Sequence, residues 1–260
     1  MKIQSLILSL LISAAPAQNL VALGNANTQA GISQAQVYVA GNWVGTRYDA
    51  NSLSFPGPAI YLVGNNSVTD SLRPVHRTIS IEGTKGHFSG PLVSGPRPNF
   101  AAYAGLTNTY GGLTGNTLDL SAPISVIINL VNDLNVFDVD ASQFSGSKTL
   151  DFVGTGNVVF NVTGNLTSWD WTVNYDPNKI LFNFENATII NIDGEFTGSI
   201  LAPNAVLTQS DTITGSVVIK DFVTVGNPSL NYAALVAIPE SGSVLLILGA
   251  AGLILFKRAK

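Results

Sequence analysis

Apolar and polar residues alternate in short runs along most of this chain, and several of the runs recur. Val162-Thr163-Gly164-Asn165-Leu166, Phe196-Thr197-Gly198-Ser199-Ile200 and Ile213-Thr214-Gly215-Ser216-Val217 share one order: apolar, Thr, Gly, small polar, apolar. The second and third follow their predecessors by thirty-four and seventeen positions. Ile189-Ile190, Val206-Leu207 and Val223-Thr224 repeat at the same spacing of seventeen, as do Phe184, Leu201 and Val218. A unit of this length is too short for a helical-pair repeat but suits one coil of a β-solenoid, with three strands of about four residues and tight corners. The spacing therefore predicts an all-β parallel β-helix with about four coils from Val162 to Ser229, in which Phe184, Leu201 and Val218 form one inward file. The recurring glycine would serve one corner. A β-sandwich of short strands is the competing architecture.

Upstream, Ala35–Val44, Ile60–Val63, Thr78–Glu82, Val131–Val139 and Asn157–Val162 read as strands without a clean period. Prolines crowd residues 51–99, which predicts a loop-rich stretch or a cap over the solenoid. In Ser121–Asp138, Ile124, Ile127, Ile128 and Val131 have helical spacing, but the β-branched content favours strand.

Composition narrows the function. Charged residues are 11% of the chain and there is no cysteine, which excludes a disulfide scaffold and cysteine-ligated metal. Residues 18–240 carry eight basic against sixteen acidic side chains, a net charge of −8, and Asp119 to Asp221 holds twelve acidic and three basic ones. So acidic a surface argues against nucleic acid as partner and leaves calcium conceivable.

Few residues invite chemistry. His76 and His87 sit among cationic neighbours and read as polar loop residues. Asp138 and Asp140 share a strand face near Asp133 and Asn135, as a calcium site or as solvated carboxylates. Asp151, Asp170, Asp176, Asp193 and Asp211 could supply a glycosidase pair only if coils aligned them. Trp169 and Trp171 also share a face. They could be an aromatic platform for sugar rings, or two rings packed inward. Thr212 and Thr214 form a Thr-x-Thr row of the kind a flat ice-binding face carries, which Asn191 and Gly194-Glu195 do not continue. No catalytic residue, cofactor or metal ligand stands out.

The termini read as addresses. Residues 1–17 have the basic start, apolar centre and small-x-small ending of a signal peptide, with cleavage expected between Ala17 and Gln18. Residues 237–260 combine Pro239-Glu240, the apolar run Val244–Phe256 and a basic end. As a helix, that run spans only about 20 Å, short of a roughly 30 Å hydrocarbon core. This tail resembles the PEP-CTERM sorting signal of Gram-negative surface proteins, which implies processing by an exosortase near Pro239 and Glu240 and at least transient insertion in the inner membrane. Phe137-Asp138-Val139-Asp140, Val158–Gly164, Ile180–Phe184 and Gly198–Ala205 occur in an order similar to that of the choice-of-anchor A domain, with residues 18–236 as its extent. The resemblance implies an exported, non-catalytic adhesive module at the cell surface or in the extracellular matrix, in contact with polysaccharide or neighbouring surfaces. The alternatives are a polysaccharide-degrading enzyme on a β-helix scaffold and an ice-binding solenoid.

Overall fold

The computed structural model describes residues 18–29, 32–33, 36–51, 60–75, 79–86, 92–93, 98–121 and 124–233. The expected signal peptide, the tail with Pro239 and Glu240, and both histidines lie outside them, whereas Gln18 opens the first strand, Gln18–Ala22.

Short alternating strands cannot bury an apolar face alone, so they wind into parallel coils that do it jointly. The chain forms a three-faced β-solenoid in which every strand pairing among the described residues is parallel. On the first face, Asn116–Thr117, Leu134–Asp140, Asn157–Thr163, Ile180–Phe184, Ser199–Gln209 and Val217–Thr224 stack in chain order. Val217–Thr224 then pairs with Gln18–Ala22, and the stack continues through Gln36–Val39, Ile60–Leu62 and Ile79–Ile81. The N-terminal coils are thus not the first in the stack. They follow the coil made last.

The interior is a file of apolar side chains in register across the whole stack: Phe137, Phe160, Phe182, Ile200, Val217, Leu20, Val37, Ile60 and Ile79. Phe160 and Phe182 stack with centroids 5.0 Å apart. This file replaces the expected one. Leu201 and Val218 do lie in register, but they align with Asn183 and point out of the barrel, while Phe184 faces inward in register with Val162. The sequence frame is off by one position, which in a strand moves a side chain to the other face.

Other parts of the frame also shift. Phe196, Ile213 and Leu230 do keep the seventeen-residue spacing, in register. A register shift between Ala202 and Val206 aligns Leu207 with Phe222 and Thr208 with Val223, so Val206-Leu207 does not match Val223-Thr224. Gly164 turns from the first face to the second, whereas Gly198 lies between the third face and the first. The ambiguous stretch forms two strands, Ser125–Asn129 and Leu134–Asp140.

Outward residues of the first face would be exposed apolar surface without α1 (Phe100–Gly111), an α-helix that the proline content of this region does not suggest. Asn99 caps it by accepting from Ala102 N at 3.1 Å. Twelve residues give a length of about 18 Å, just under four coil spacings. Leu106 and Tyr110 cover the first face together with the buried Val159, Leu181 and Leu201. Thr107 Oγ1 donates to Asn183 Oδ1 at 2.6 Å, and Asn183 Nδ2 donates to Asn161 Oδ1 at 3.0 Å, which fixes the helix over the sheet. The helix therefore covers the middle of the first face, over Asn157–Thr163, Ile180–Phe184 and Ser199–Gln209.

Candidate functional face

The second face is built from a corner that recurs in the N-terminal coils. Gly24-Asn25, Gly41-Asn42 and Gly64-Asn65 occupy equivalent turns. Each asparagine side chain accepts from the backbone of the next coil: Asn42 N donates to Asn25 Oδ1, Asn65 N to Asn42 Oδ1 and Thr84 N to Asn65 Oδ1, all at 2.9 Å. Asp221 begins this ladder by accepting from Asn25 N at 2.6 Å. In the C-terminal coils Asn165 does the same for Thr188 N at 2.8 Å. The glycine is required by close approach: a Cβ on Gly41 would lie 2.5 Å from Gly24 O. These bonds hold successive coils in one register at the corner.

Beyond the corner, the outward row runs Thr167, Asn191, Thr208, Val223, Asn27, Val44 and Ser67, with the residues aligned strand to strand. All seven are uncharged, and the six steps between them cover about 29 Å at roughly 4.8 Å per coil. Inward neighbours Ile190, Leu207, Phe222, Ala26 and Trp43 are buried, and Trp43 Nε1 donates to Thr28 Oγ1 at 2.9 Å, so the row stands on a packed base. The sequence contains a signal for this face in the repeated Gly-Asn dipeptide. Asn25 and Asn42 are separated by 17 in the chain and Asn42 and Asn65 by 23, which hides the repeat from a search for one period.

The residues singled out from the sequence lie apart from this row. Trp169 and Trp171 are 0% and 2% exposed and form an interior cluster with Phe144, Phe182 and Phe196, so they offer no platform for sugar rings. Burying two indoles is strongly favourable, and alternation places both on the inner side. Asp138 lies beside Asn161 Nδ2 at 3.5 Å, whereas Asp140 accepts from Ser142 N and Oγ at 2.8 and 2.6 Å. Those bonds hold the Asp140 carboxyl below its usual range. Among the described residues no group of three or more acidic or histidine side chains could hold a metal ion. Asp151, Asp176 and Asp193 are each engaged locally, by Asn174 Nδ2 at 2.7 Å, Asn178 N at 3.0 Å and Trp169 N at 2.7 Å. Thr214 stacks with Thr197 and Asn231 on the third face.

Fold and face together define a solenoid that presents a long, in-register row of uncharged side chains on its second face. The chain belongs to the family described as "Putative Ice-binding-like adhesive domain", whose model matches residues 17–232. An ice-binding protein from the Antarctic ascomycete Antarctomyces psychrotrophicus is 15% identical with a TM-score of 0.41, over 88% of this chain and 98% of that one. A glycosylated ice-binding protein from an Arctic yeast is 17% identical with a TM-score of 0.40, over 86% and 94%. Curated proteins give no match.

The family membership overturns the resemblance to the choice-of-anchor A domain with a PEP-CTERM signal. Ile200-Leu201-Ala202-Pro203-Asn204-Ala205, which carried much of it, forms the strand and irregular corner between the first and second faces. Alternating strands and a corner of this kind suit solenoids in general. The expectation of exosortase processing falls with it. No helix among the described residues is long and apolar enough to cross a membrane.

Proposed function

We propose that this protein is an exported, non-catalytic adhesive module that grips an extended, ordered surface with its second face, and that ice is the surface the face fits first. The observation that supports this is the row from Thr167 to Ser67, seven short uncharged side chains in register on a packed base. Each group gives a weak contact, and a rigid array adds many of them without ordering cost on binding. Thr, Ser and Asn supply hydrogen bonds while Val44 and Val223 supply methyl groups, a mixture suited to ordered water or to a crystalline polysaccharide. The acidic remainder of the surface keeps the module soluble and away from nucleic acid.

Fluorescently labelled full chain, presented to a growing ice hemisphere and to crystalline cellulose and chitin, tests the reading. Incorporation into ice that is lost in Asn27→Tyr and Thr208→Tyr, with the circular dichroism spectrum unchanged, is the expected result. Exclusion from ice, with or without retention on the polysaccharides, or uptake unaffected by both substitutions, would overturn it.

A further inference from the structure

The third face is split. Ser125–Asn129, Lys148–Val153 and Trp171–Asn174 form a separate three-stranded sheet. The next coil contributes Phe196–Thr197, which pairs onward with Ile213–Thr214 but makes no ladder with Trp171–Asn174. The same two coils are joined on the other faces, through Val158 with Ile180 and Leu166 with Ile190. The cause lies inside: Trp169 Nε1 donates to the Glu195 carbonyl at 3.0 Å, and its ring sits 4.5 Å from that of Phe196. The indole takes the carbonyl that a ladder would use and holds the strands apart.

What results is an open groove of about 350 Å³, with Asp170, Thr172 and Asn174 on one wall, Glu195 and Thr197 on the other, and Trp171 contributing to its lining. Trp171 is 2% exposed, and its Nε1 is a buried side-chain nitrogen without a hydrogen-bond partner. Asn174 Nδ2 is held by Asp151 at 2.7 Å, which leaves its carbonyl oxygen for a ligand. The edge of Trp171–Asn174 adds backbone N–H and C=O groups that no neighbouring strand among the described residues uses.

We propose that this groove binds a hydroxyl-rich saccharide of one or two rings. Carboxylates that accept, hydroxyls that both accept and donate, and an unpaired strand edge on facing walls match neighbouring sugar hydroxyls, each of which is donor and acceptor. The volume falls at the lower end of the roughly 300–1,000 Å³ of small-ligand sites. Two carboxylates disfavour an anion.

Isothermal titration of the full chain with cellobiose, N,N′-diacetylchitobiose and maltose is the test. Saturable binding of at least one disaccharide is expected. Thr172→Phe, which fills the groove from an exposed position, should abolish it, and Glu195→Gln, which weakens one acceptor without changing shape, should weaken it about tenfold. Saccharide binding that survives in Thr208→Tyr separates the groove from the second face, so either site can fail alone. No saturable heat with any of the three sugars, or the same affinity in both groove variants, overturns the proposal.

Discussion

Replacing Trp169 with alanine should be among the most costly single changes in this protein. The ring is fully buried and lies 5.4 Å from Phe144, 5.5 Å from Phe182 and 4.5 Å from Phe196 between centroids. Truncation removes those contacts and leaves a cavity, which for a buried Trp or Phe costs about 3–5 kcal/mol. It also orphans the Glu195 carbonyl, now bonded to Nε1 at 3.0 Å, which adds roughly 1–3 kcal/mol where water does not reach it. Trp169→Phe separates the two contributions, since it keeps most of the ring but not the donor, and should cost about 2 kcal/mol. Urea unfolding followed by circular dichroism, with the m-value of each variant compared to wild type, reads both numbers. An exposed sugar-binding indole would instead give a change within about 0.5 kcal/mol. A loss below about 1 kcal/mol for Trp169→Ala would refute the buried aromatic cluster as the support of these coils.

Two further outcomes follow from the corners and the helix. Gly41→Ala places a Cβ 2.5 Å from Gly24 O, so the ladder must open there, and the melting temperature should fall, while Asn42→Ala, which removes one acceptor for Asn65 N, costs only about 1 kcal/mol. Equal melting temperatures for wild type and Gly41→Ala would contradict the close approach. Burial of Tyr110 and Tyr103 pushes both phenols above their ordinary range. A raised native value means that the unfolded chain gives up its proton first, so their contribution is complete below about pH 10 and is lost as pH rises beyond it. Denaturation midpoints measured from about pH 8 to 12 should decline above about pH 10, and less steeply in Tyr110→Phe.

Much of the C-terminal architecture is legible from the chain because its coils keep nearly one length. Phe196, Ile213 and Leu230 recur at the seventeen-residue interval and stack as that period implies. Where a coil carries a register shift, as between Ala202 and Val206, counting overshoots by two positions and assigns Thr224 to Leu207 in place of Phe222. The inward file is masked in the sequence because Leu201 and Val218 are buried apolar residues on the outer side of their strands, where α1 covers the strand of Leu201. The helix itself leaves a faint trace: its buried positions are Leu106, Thr107 and Tyr110 only, too few for a clear stripe. The row of the second face mixes Thr, Asn, Val and Ser, so it has no composition to recognise and becomes visible only when strands from both ends of the chain are laid side by side. Trp169 and Trp171 present the opposite difficulty, since a conspicuous pair suggests the surface when alternation has turned it into the core.

Leu20 lies between Val217 and Val37, and Asn25 N meets Asp221 across 196 residues of chain. During synthesis the opening segment emerges long before the strand that must lie beneath it, and in the meantime its edge is bare. Closure therefore waits for the final winding, which acts as a keystone between two arches built at different times. A polypeptide cut short before Val217 would leave both arches unsupported.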